Sequence, residues 1–107
     1  MRWPLWRVAV ADRSMEPALR PGDWLLVWRG PGGRPVPIRP GQIVVARHPE
    51  EQDLLLVKRA TRRDRDGWWL ESDNRGVRAV DSRRFGPVAA GLIEGRVLVC
   101  YWPLRRT

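Results

Sequence analysis

Asp53-Leu54-Leu55-Leu56-Val57-Lys58-Arg59-Ala60 is the stretch on which the fold turns. It reads as a buried strand, apolar on both faces until the lysine arrives. Strand alternation places Leu54, Leu56 and Lys58 on one face. If that face is interior, the ammonium loses its hydration and its pKa falls from about 10.4 towards roughly 7–8. The other reading of the residue, taken by itself, is a lysine snorkelling at a strand end. From this residue alone snorkelling is the better-supported reading, but its rarity points to a position where guanidinium would not do: Lys58 is the only lysine among 20 Lys and Arg residues. Arginine stays protonated at working pH, whereas a desolvated lysine can lose its proton and serve as a base.

Outward from this strand, further strands are expected near residues 4–11, 23–29, 42–48, 67–72 and 92–102, with the central one over 53–61. Helical periodicity is nearly absent. Residues 62–67 read as a polar hairpin turn, and the Gly- and Pro-rich 30–37 stretch as a flexible surface connection. The expectation is a mainly β domain over residues 1–107, with no internal repeat and one modest core.

A base calls for a nucleophile, and Ser14 has an unusual setting. The extended run from Trp6 to Ala11 stops at Asp12-Arg13, and Pro17, Pro21 and Gly22 forbid both a long helix and a continuing central strand. A strand that breaks here can expose a side chain and leave backbone N–H groups free to stabilise an oxyanion. Alternatively, Ser14 caps a short turn, with Met15 as a core plug. His48, the only histidine, precedes Pro49-Glu50-Glu51 in what reads as a polar loop. As a loop residue it is a weaker base candidate than Lys58.

A formal charge of +8 raises the question of nucleic acid or an anionic surface. The basic residues are scattered, several beside acids as in Arg63-Asp64-Arg65-Asp66, and no helix-turn-helix or finger pattern accompanies them. A solvated, arginine-rich surface is expected and no nucleic-acid partner. No stretch has the roughly 20 apolar residues that span a bilayer, and the amino terminus lacks the apolar run of a signal peptide, which points to the cytoplasm. One Cys100 and one His48 cannot build a zinc site alone, so neither metal nor cofactor is expected. The seven tryptophans read mainly as core and cleft wall.

Three segments together resemble the type I signal peptidase group of Ser-Lys proteases, related to the self-cleaving repressor peptidases. The first is Ser14-Met15-Glu16-Pro17-Ala18-Leu19 with Pro21-Gly22-Asp23; the second is Val57-Lys58-Arg59. The third is Ser72-Asp73-Asn74-Arg75 with Asp81-Ser82-Arg83 and Phe85-Gly86-Pro87-Val88. The resemblance implies a coiled, partly closed β architecture, Ser14 as nucleophile, Lys58 as general base and the Ser14 N–H as an oxyanion donor. Asp12, Met15 and Pro17 would border the oxyanion and substrate site, and Asp73, Asn74, Asp81, Ser82 and Arg83 would brace it.

Two departures are visible. Many relatives carry a small hydroxyl residue where this chain has Asp12, and a lysine-orienting serine where it has Ala79, so another group must orient Lys58. With Ser72-Asp73-Asn74, Phe85-Gly86-Pro87-Val88, its compactness and the expected lack of an anchor, the chain resembles the proteases that mature nickel-type superoxide dismutase, and the resemblance implies removal of an amino-terminal leader from that precursor. The alternatives are a membrane-surface signal peptidase, with Trp3, Trp6, Trp28, Trp68 and Trp69 at the lipid interface, and a non-catalytic module binding peptide or nucleic acid. In the peptidase readings, the precursor lies extended along a sheet edge beside Ser14.

Overall fold

A computed structural model describes residues 3–32, 35–78 and 80–103. Seven strands form one antiparallel sheet that curls into a half-barrel: β1 (Leu5–Ala9), β2 (Trp24–Trp28), β3 (Ile43–Arg47), β4 (Leu55–Asp64), β5 (Gly67–Glu71), β6 (Val88–Ala89) and β7 (Ile93–Trp102). Their spatial order is β1-β2-β7-β3-β4-β5-β6, so the last long strand lies between β2 and β3. The mainly β expectation holds. Most boundaries tighten by a residue or two, β4 instead runs three residues further than expected, and the short β6 and the single-turn helix α1 (Ser82–Phe85) went unforeseen.

Both faces of the curled sheet are covered, which explains why β4 is apolar on both sides. On one face, Val44, Ala46, Ala60, Leu70, Val88 and Ile93 pack with Val36 and Trp68. On the other, Val8, Leu25, Val27 and Val45 pack with Met15 and Leu19 from the segment after β1. Leu54 departs from expectation: it precedes β4 and is exposed, whereas Leu56 and Lys58 are buried as the alternation requires.

Two loop readings need correction. β4 runs to Asp64 and pairs with Gly67, so the hairpin turn is only Arg65-Asp66. Arg65 takes a left-handed φ of 56°, which closes the tight turn. The 30–37 connection is not wholly superficial, since Val36 is buried against β3 and β5. Gly67 belongs where it stands, because a Cβ there would overlap the Val88 carbonyl that approaches from β6. The tryptophan expectation is also corrected: Trp68 joins the core, but Trp3, Trp24 and Trp102 are exposed. Aliphatic side chains build most of the interior.

Candidate active site

Ser14 lies in an excursion between β1 and β2, closed at its neck by Val10 N–H to Asp23 O (2.8 Å) and Gly22 N–H to Val10 O (2.8 Å). Gly22 turns the chain back at a φ of 90°. Within the excursion, Met15 and Leu19 sink into the core and hold the turn from below. Met15 is 1% exposed, so its side chain plugs the core and does not line a substrate surface; Pro17 is exposed. From above, Asn74 grips the turn twice, its N–H donating to Ser14 O (2.8 Å) and its Nδ2 to Arg13 O (2.9 Å).

Lys58 reaches the serine from β4. Its Nζ lies 2.8 Å from Ser14 Oγ, across 44 residues of sequence, and 3.1 Å from Ser72 Oγ. The side chain is only 2% exposed. Burial drives the ammonium pKa below its ordinary value, opposed by the charges of Asp12 and Asp81 and assisted by Arg83. Asp12 Oδ1 accepts from both the Ser14 N–H (3.0 Å) and the Ser14 hydroxyl (2.8 Å). The carboxylate at the position where many relatives have a hydroxyl therefore acts as an acceptor, on the same N–H that could stabilise an oxyanion.

Ser72 is the residue that sequence reasoning missed. The β4–β5 register pairs Arg59 with Glu71, and one step further brings Ser72 level with Lys58. That spacing was readable in the quoted segments, but only once the register was known. Ala79, at the position expected to orient the lysine, lies outside the described residues.

The remaining predicted residues hold the Ser72 end of β5. Asp81 caps α1 through the Arg83 N–H (3.0 Å), accepts from the Ser72 N–H (2.8 Å) and pairs with the Arg83 guanidinium (2.8 Å). Burial pushes the Asp81 carboxyl up, but the Arg83 side chain and the two N–H groups outweigh it and hold the pKa below the ordinary carboxylate value. Ser82 Oγ accepts from the Leu70 N–H (2.8 Å). Asp73 forms a two-pronged pair with Arg59 (3.2 and 2.6 Å), whose guanidinium also reaches Gly41 O. Arg59 thus ties the strand carrying the lysine to the segment carrying Ser72 and Asn74.

His48 does not lie on the surface as expected. It is buried, its Nδ1 accepts the N–H groups of Glu50 (3.0 Å) and Glu51 (3.2 Å), and its ring packs 4.8 Å from Phe85. It stabilises the turn after β3, and none of these contacts involves Ser14.

A buried, pKa-lowered amine beside a hydroxyl, with a backbone N–H at the same serine, is an arrangement suited to acyl transfer. The family comparison agrees with that class of chemistry: a Peptidase S24-like family model matches residues 5–97, and the chain belongs to that family. It is 29% identical over 121 residues to mitochondrial inner membrane protease subunit 2 of Schizosaccharomyces pombe, covering 91% of this chain and 64% of that protein. It is 32% identical over 117 residues to mitochondrial inner membrane protease subunit 1 of Xenopus tropicalis, covering 91% of this chain and 69% of that protein. The chain thus spans about two thirds of the length of these curated relatives.

Proposed function

We propose that the protein is a serine endopeptidase in which Ser14 is the nucleophile and Lys58 the general base, and that it removes an amino-terminal leader from a precursor protein. The observation that carries this reading is the 2.8 Å approach of a buried, destabilised ammonium to the Ser14 hydroxyl. Lys58 in its neutral form takes the Ser14 proton as Oγ attacks the scissile carbonyl carbon. The developing oxyanion takes the Ser14 N–H from Asp12, and Lys58 then gives its proton to the departing amine. A water deprotonated by Lys58 hydrolyses the acyl-enzyme and restores the serine. The hydroxyl that donates to Asp12 at rest must rotate its proton towards the amine before attack.

The precursor enters extended, adding a strand at the free edge of β1, which leads directly into the Ser14 excursion. The names of the relatives favour precursors processed at a membrane over a superoxide dismutase leader. Among the described residues no helix is long and apolar enough to cross a membrane. No residue of the site singles out nickel-type superoxide dismutase, so that substrate is one arm of the test.

The test incubates wild type, Ser14→Ala and Lys58→Arg with a leader-bearing superoxide dismutase precursor and, separately, a membrane-targeted precursor, and weighs the products by mass spectrometry. Cleavage by the wild type alone is expected. Equal processing by Lys58→Arg, which keeps the charge but cannot act as a base, rejects the mechanism.

A further inference from the structure

Away from Ser14, a cleft of about 540 Å³ opens beside β2, β7 and the β4–β5 hairpin. Its rim carries Arg39, Arg63 and Arg96, its walls include Trp28 and Trp68, and the apolar 35–38 segment closes one side. Two of the arginines are held in place by the walls: the Arg63 guanidinium lies 5.6 Å from the Trp68 ring centroid and that of Arg96 lies 5.0 Å from Trp28. Among the described residues no carboxylate lines the cleft, and no ion pair engages any of the three. Elsewhere on the molecule arginines meet acids, as in Arg59–Asp73 and Arg83–Asp81.

Three uncompensated guanidiniums around one cavity repel one another, and stacking on tryptophan limits their freedom to swing apart. That arrangement disfavours an empty cleft and favours an occupant with several anionic oxygens. A single carboxylate offers two oxygens and one charge, which one fork satisfies; a phosphate ester offers more oxygens and up to two charges. The apolar segment and tryptophan walls add a surface for an apolar or aromatic body, and the volume suits a small ligand. We infer that this cleft is a binding site for a phosphate ester carrying an apolar or aromatic body, separate from the peptidase site.

Two sources share that chemistry: a soluble nucleotide and a phospholipid headgroup. Leu5, which pairs in register with Trp28, is exposed, so apolar surface beside the cleft would add to binding in the lipid case.

The test measures tryptophan fluorescence of the full chain titrated with adenosine monophosphate and with vesicles of phosphatidylcholine containing phosphatidic acid. The double variant Arg63→Gln, Arg96→Gln is compared with Arg7→Gln, Arg62→Gln. The control removes the same charge and also breaks two arginine–tryptophan stacks, Arg7 on Trp24 and Arg62 on Trp69, which lie outside the cleft lining. Losing two charge-assisted contacts predicts a weakening of about tenfold or more in the cleft variant and less than about twofold in the control. Binding of the nucleotide assigns a soluble ligand, and binding of acidic vesicles alone assigns a headgroup. Equal loss in both variants shows a diffuse charge effect and overturns the site, as does failure of both probes to bind. Precursor cleavage by the cleft variant Arg63→Gln, Arg96→Gln at the wild-type rate is expected, which separates this site from the Ser14–Lys58 reading.

Discussion

Lys58 shares the interior face of β4 with Leu56 and Ala60, and among the described residues only the hydroxyls of Ser14 and Ser72 meet its amine directly. Because burial lowers its pKa, activity rises with pH through a limb below the ordinary lysine value of about 10.4. Asp12 and Asp81 oppose that shift, so Asp12→Asn moves the limb to lower pH, which a pH–rate profile of precursor cleavage measures. An unmoved limb would remove Asp12 from the account. Stability follows the same linkage. Between the folded pKa and about 10.4 the unfolded chain binds the proton more tightly, so Lys58 subtracts stability as pH falls through that window. Lys58→Met therefore abolishes cleavage while unfolding, in thermal denaturation at pH 7, no lower than the wild type.

At the scale of elements, the site is where β4, the end of β5 and the excursion after β1 meet. The strand carrying Lys58 was legible because its apolar run and lone lysine are local signals. Ser72 was not, since its role depends on the β4–β5 register, a non-local property that periodicity leaves open. His48 misled for a related reason: Pro49 and two glutamates suggest a wet loop, but Phe85 from α1 covers the ring. Ser72→Ala should lower kcat about tenfold to a hundredfold with little change in KM, as expected when a base is misplaced and substrate contacts survive. Retained kcat would assign Ser72 to packing alone. Asp81→Ala removes a helix cap and leaves the buried Ser72 N–H without its partner, which should cost about 2–4 kcal/mol in urea denaturation. Because the folded Asp81 pKa is depressed, its contribution is present above about pH 4 and is lost as pH falls through the folded value.

Over the whole molecule, a short chain gains two buried faces by curling one sheet, with β7 drawn between β2 and β3. Strand content and the partly closed shape were readable from alternation and the family resemblance. The outward tryptophans were not, because composition does not say which side of a two-faced sheet a residue takes. Leu25, fully buried between β1 and β7, should cost about 2–5 kcal/mol on truncation to alanine while precursor cleavage below the melting temperature persists. This separates the packing that supports the site from the groups that perform the chemistry.

The protonation state of Lys58 can be read directly in solution. Because the chain has a single lysine, a protein labelled with ¹⁵N-lysine gives one side-chain amine signal, assignable without ambiguity. Followed through a pH titration, that signal should report an Nζ that loses its proton well below about 10.4. A titration at or above that value would contradict a neutral Lys58 acting on Ser14.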